Sequence, residues 1–203
     1  MSVLLTNTFE GGTAGADVTA GSSGGASGTA LDVSKGANSS VKYVAGGFHG
    51  ALGVEFTAAA GESAFLQWAP AGEAQDSYAI RAYLRPGTPP PLATGGTDFL
   101  GQIRGTAGTM ATVGLSGDSR FRVLAADGST LGTATSARLA GTTYRWELRV
   151  TRGTTTSNGR VDFAYYAGDS TAPIQTMSFP TTNTTTGQAT HARFGRGASN
   201  TVA

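Results

Sequence analysis

Through much of the chain apolar and polar residues alternate one by one, the period of a strand with one face buried and the other in water. The cleanest stretch is 144–150, where Tyr144, Trp146, Leu148 and Val150 share one face and Arg145, Glu147 and Arg149 the other. The same pattern marks 52–57, with Leu52, Val54 and Phe56 against Gly53, Glu55 and Thr57, and 160–166, with Val161, Phe163 and Tyr165 on one side. In 77–85, Tyr78, Ile80, Ala82 and Leu84 oppose Ser77, Ala79, Arg81, Tyr83 and Arg85. Further strands are expected at 3–9, 63–68 (closed by Pro70), 98–104, 109–115, 119–126, 174–179 and 189–195. Asp127-Gly128 is a hairpin-turn pair. Pro86-Gly87 and Pro89-Pro90-Pro91 break the pattern into a loop over 86–97. No segment carries apolar residues at helical spacing, so the chain reads as all-β, a sandwich or barrel.

Composition adds one feature to this picture. The stretch 11–28 is Gly, Ala, Ser and Thr with almost no large apolar residue. It is expected to be a solvated loop or a pair of very weak strands. The 203 residues suit a single domain, 1–203, able to bury a core without disulfides or metal. There is no Cys, which excludes thiolate metal sites, thiol catalysis and disulfides. Charged residues are 13% of the chain and the net charge is +1, giving no footprint for nucleic acid or an anionic membrane. No apolar run approaches the length needed to cross a bilayer. The opening Met1-Ser2-Val3-Leu4-Leu5 lacks the basic flank of a secretory signal.

The pair Tyr144-Arg145-Trp146-Glu147-Leu148-Arg149-Val150-Thr151 and Gly159-Arg160-Val161-Asp162-Phe163-Ala164-Tyr165-Tyr166-Ala167-Gly168, joined by a Gly-bearing turn, resembles the concanavalin A-like/laminin-G jelly rolls. Asn7-Thr8-Phe9-Glu10-Gly11-Gly12, the segment 45–56 and Ala192-Arg193-Phe194-Gly195-Arg196-Gly197 look like the same domains in actinobacterial proteins and their phages. The resemblance implies a two-sheet antiparallel jelly-roll sandwich (concanavalin A-like). It also implies a further strand after Asn200-Thr201-Val202, which is here absent, cut from the sequence, or supplied by a neighbouring subunit.

Chemistry was sought along the same strands. A glycosidase on such a sheet needs two carboxylates flanking one bond at about 5 Å, and no Glu-x-Asp or Glu-x-Glu pair occurs. His49 and His191 both read as ordinary surface or strand histidines. The expectation is therefore that the chain is not an enzyme and needs no cofactor. Ca²⁺ could use the loop carboxylates Asp17, Asp98, Asp118, Asp127 and Asp169, but no Asp-x-Asp-x-Asp-Gly array places a site. Sugar binding needs exposed rings and planar hydrogen-bonding groups. Trp68, Arg81, Tyr83 and Arg104 are the candidate ligand-binding residues, with Gln102 as a neighbour and core packing the other reading of Trp68.

From the resemblance we expect a bacteriophage virion structural protein. It would be a capsid decoration or tail-attached (minor tail protein) domain assembled in the host cytoplasm. Its partners would be other virion proteins in a symmetric homo-oligomer or multi-copy assembly, together with host-surface glycan. The alternative is a carbohydrate-binding, lectin-like module of an actinobacterial protein with no virion role.

Overall fold

In the computed structural model the described residues are 5–59, 61–69, 74–86 and 97–197. They divide into two compact units, Met1–Trp68 with Phe194–Ser199 and Ala69–Arg193 with Asn200–Ala203. Secondary structure is overwhelmingly antiparallel β, as the alternation predicts.

In the first unit, β1 (Asp32–Lys35) pairs with β4 (Ala64–Trp68), and β2 (Ser40–Ala45) forms a hairpin with β3 (Leu52–Thr57). Its core is Val18, Leu31, Val41, Tyr43, Ala64 and Leu66, flanked by Phe9, Val54, Phe56 and Trp68. One expectation is corrected here. Residues 5–9 form no strand, and Val3 and Leu4 lie outside the described residues. Phe9 sits at φ 62°, outside the β region, and Asn7 turns its side-chain amide to the Ser23 and Thr29 carbonyls. The stretch 11–28 is largely exposed but is anchored at a few points. A one-turn helix, α1 (Ala20–Ser23), is capped by Thr19, and Val18, Ser23 and Ser27 are buried. Gly12 lies against the Tyr43 ring where a Cβ would overlap it. The glycines permit that close approach, which is why a segment poor in apolar residues still packs.

The second unit is a sandwich of two antiparallel layers. One layer runs β12 (Gln175–Thr182), β11 (Gly159–Ala167), β10 (Tyr144–Thr151), β5 (Ser77–Leu84). The other places β13 (Ala189–Arg196) beside β6 (Thr97–Gly105), followed by β7 (Gly108–Ser116), β8 (Phe121–Ala125) and β9 (Thr130–Thr133). The inner faces are the apolar faces read from sequence: Ile80, Trp146, Leu148, Val150, Val161, Phe163 and Tyr165 meet Ile103, Ala111, Val113, Phe121 and Val123, all buried. Phe121 bridges the layers, its ring centroid 5.3 Å from Phe163 and 4.9 Å from Tyr165. Burying a side chain of this size contributes roughly 1.5–3 kcal/mol, so these strands hold the unit together. The loop 86–97 lies outside the described residues apart from Pro86 and Thr97, as does the chain end at 198–203 where a further strand was expected.

Candidate functional site

The four candidate residues do not form one site. Trp68, in the first unit, is half-buried: its indole N–H donates to the Thr29 carbonyl at 3.2 Å, and its ring stands edge-on to Phe194 at 5.5 Å. Both contacts commit it to local packing. Arg81 and Tyr83 sit on the outer face of β5, whereas Arg104 points away from the core on β6, in the opposite layer. The proximity of Arg81 to Gln102 and Arg104 expected from sequence is thus corrected, because the sandwich core lies between them.

The outer face around Arg81 carries a network of ion pairs and hydrogen bonds. Arg81 and Arg145 share the Glu147 carboxylate at 2.8 and 3.2 Å. Arg145 also lies over the Tyr166 ring at 3.9 Å. Tyr83 donates its hydroxyl proton to Asp169 at 2.6 Å. Asp162 takes Arg160 at 2.7 Å and the Ser178 hydroxyl at 2.6 Å. Arg160 first, and Ser178 after it, hold its carboxyl below the ordinary range against the opposing effect of burial. A shallow groove of about 390 Å³ runs where Ala79 and Ala164 lie low between Glu147, Arg149 and Asp162. Of its charged walls, Glu147 is shared by Arg81 and Arg145, Asp162 is paired with Arg160, and Arg149 donates to the Ser77 hydroxyl.

The β6–β13 face is different. Gln102 and Arg104 alternate with the buried Gly101 and Ile103, so they share the face turned from the core. On β13, His191 and Arg193 flank the buried Ala192 in the same way. Arg104, His191 and Arg193 are close enough to repel one another. Burial first, and then the charges of Arg193 and Arg104, push His191 below its ordinary value, and burial and Arg104 lower Arg193. Arg104 Nε is buried with no hydrogen-bond partner. His191 Nδ1 lies 2.8 Å from Thr190 Oγ1, which in turn reaches the Arg104 carbonyl at 3.5 Å. If the Thr190 proton goes to that carbonyl, Nδ1 is the donor and Nε2 keeps its lone pair. The face thus gathers two fixed cations and a histidine held neutral near neutrality, able to bind a carboxylate and to accept a proton beside it. Sequence reading treated His191 as ordinary. The signal it carried was the His191–Arg193 spacing of two, which puts both on one face of a strand.

The carboxylates considered for Ca²⁺ are dispersed. Asp118 accepts the Ser116 hydroxyl and pairs with Arg120, Asp127 caps its own turn through Ser129, and Asp98 is buried within β6. Among the described residues no three His, Asp or Glu side chains gather where they could hold a metal ion.

No family model and no curated protein matches the chain in sequence. Solved structures do match in shape. The endo-β-1,4-glucuronan lyase of the fungus Trichoderma reesei aligns over 81% of this chain and 77% of its own, with a TM-score of 0.58 and 13% identity. The marine PL-14 alginate lyase of Aplysia kurodai (84% and 81% coverage, TM-score 0.48, 10% identity) and the VIP36 exoplasmic/lumenal domain (97% and 85%, 0.47, 11%) are more distant. The chain is an all-β, antiparallel jelly-roll sandwich of the concanavalin A-like kind; at these identities what it shares is the fold. The expectation that it is not an enzyme is corrected by the same comparison, since a polysaccharide lyase, the glucuronan lyase, shares the fold. That expectation rested on a missing carboxylate pair, which hydrolysis of a glycoside requires and elimination does not.

Proposed function

We propose that this chain is a glycan-recognising jelly roll whose β6–β13 face receives an acidic polysaccharide and supports its β-elimination. The observation that carries the reading is the convergence of Arg104, Arg193 and a neutral His191 on one sheet face. Arg104 and Arg193 would hold the uronate carboxylate, drawing off the negative charge that develops when the neighbouring C5 proton leaves. His191 Nε2 would take that proton; the C5–H electrons become the C4=C5 double bond as the C4–O bond breaks, and the departing oxygen is protonated from solvent. The fold shared with a glucuronan lyase supports the substrate class. A virion location is compatible with the same site, since a particle-borne domain of this kind would meet glycan at a host surface.

The test is titration of the full chain with a polyuronate and with a neutral glucan, followed by ultraviolet detection of the conjugated unsaturated uronate. The polyuronate should bind selectively, Arg104→Ala should weaken binding about tenfold or more, and His191→Ala should abolish product while leaving binding within a few-fold, an interaction lost only at the transition state. Equal affinity for both polymers, or product formation unchanged by His191→Ala, refutes the proposal.

A further inference from the structure

Arg138 is the second unit's one charged side chain with no counter-ion among the described residues and almost no solvent contact, 5% exposed. None of its three guanidinium nitrogens has a hydrogen-bond partner. Its Cζ lies 4.3 Å over the Phe121 ring, and its main-chain N–H donates to the Ser119 carbonyl at 2.9 Å, which fixes the backbone there. Two tyrosines complete the surroundings. The Tyr165 hydroxyl is buried with the Ser136 side chain beside it, and its ring is 4.9 Å from Phe121 and 6.4 Å from Tyr144. Tyr144 Oη accepts the Leu139 amide at 3.0 Å, which leaves its own proton to donate. A guanidinium and two phenols therefore come together at one end of the sandwich core, and among the described residues no carboxylate is bonded to them. Asp118, the carboxylate whose charge reaches Arg138, is committed to Ser116 and Arg120. Burial lowers Arg138 to about 10, so the side chain remains a cation at neutral pH. A ring face offsets only part of the cost of burying a charge, and orphaned donors in an apolar core each add to it.

We propose that the Arg138 guanidinium, with the Tyr144 and Tyr165 hydroxyls, forms a buried site for a small monovalent anion, a halide or a carboxylate the size of formate or acetate. The site lies on inner-face residues and is independent of the β6–β13 face, so neither proposal depends on the other. An occupant that binds only the folded state stabilises it in proportion to the logarithm of its concentration once above its Kd.

The experiment is thermal unfolding of the full chain at fixed ionic strength while chloride, bromide, formate or acetate replaces sulfate, for the wild type, Arg138→Met and Tyr165→Phe. The wild-type Tm should rise saturably with one or more of the small anions, and the halide and carboxylate series distinguish the two sources. Tyr165→Phe, which keeps the charge and removes one donor, should shift the midpoint several-fold higher. Arg138→Met should lose the response and, without small anion, match or exceed the wild-type Tm because it no longer buries a bare charge. Should Arg138→Met fail to fold, wild-type crystals grown in bromide still decide the matter: an anomalous peak in contact with the guanidinium supports the site, and ordered water alone there overturns it. An anion response identical in all three proteins overturns it as well.

Discussion

Gly101 tests the packing that positions the cationic face. It lies on the inner side of β6, and a Cβ added there would overlap the Trp146 ring at Cη2 and come within 3.1 Å of Cζ2. Trp146 is 2% exposed, so its ring has nowhere to retreat. Gly101→Ala should gain roughly 0.5–1 kcal/mol from lower backbone entropy in a strand and lose about 1–3 kcal/mol to overpacking. The net expectation is a loss of about 1–2 kcal/mol, or a fall in Tm of some 2–8 °C for a chain of this size. Trp146→Phe removes the part of the ring that collides and should itself cost about 1–3 kcal/mol through the cavity it leaves. In the double variant the new methyl group occupies that cavity, so the two losses should not add. A favourable coupling of about 1–2 kcal/mol is expected from urea denaturation of all four proteins. Because Arg104 follows Gly101 on the same strand, polyuronate binding should weaken in Gly101→Ala and recover in the double variant. Additivity to within about 0.5 kcal/mol would refute the contact on which this reasoning rests.

Leu148, fully buried at 0% exposure between the layers, should cost about 2–5 kcal/mol as Leu148→Ala, read from the denaturation midpoint at an unchanged m value. His191 is held below its unfolded value by burial and the neighbouring arginines. The folded state therefore resists the proton that the unfolded chain accepts near pH 6.5. Stability should fall as pH drops from about 6.5 toward the folded value, and His191→Gln should flatten that slope; an unchanged Tm-versus-pH curve would show that the histidine is not so held. Trp68→Phe should cost about 0.5–1.5 kcal/mol for the lost hydrogen bond to Thr29 and leave polyuronate affinity untouched, and a loss of affinity would restore Trp68 as a binding residue.

The strands that alternation revealed are those whose inner face is made of large apolar side chains. Trp146, Leu148 and Val150, with Val161, Phe163 and Tyr165 beside them, lie where their spacing put them. Strands without that contrast escaped notice. β9, Thr130–Thr133, turns Gly132 toward Phe179 and Met177, so it shows no large inward residue, and it is a strand because β8 offers it an edge. β1 and β2 lie outside the strands expected from sequence, although Val41 and Tyr43 alternate with Lys42 and Val44. Residues 5–9 show the opposite case: apolar content suggests a strand, and Phe9 in the left-handed region with the Asn7 amide bonded elsewhere prevents one there. Local pattern reports burial, and burial follows strand pairing only where both faces differ.

The site was less legible because its parts are far apart in sequence. Arg104 was a candidate, but the residues that make it part of a cationic cluster lie on β13, and Thr190 touches its carbonyl across 86 positions. Nothing local says that β13 lies beside β6. Hydrolysis of a glycosidic bond needs two carboxyl groups because an acid must protonate the leaving oxygen while a base or nucleophile works on the opposite face. Elimination from a uronate draws on the substrate's own carboxylate to acidify the adjacent C–H, so the protein has to supply the reverse: cations to receive that carboxylate and one neutral base. A chain with no paired acids but with Arg104, Arg193 and a charge-repelled His191 on one face lacks the first chemistry and has the side chains for the second, and that difference is why the absence of a carboxylate pair could not decide whether the chain is an enzyme.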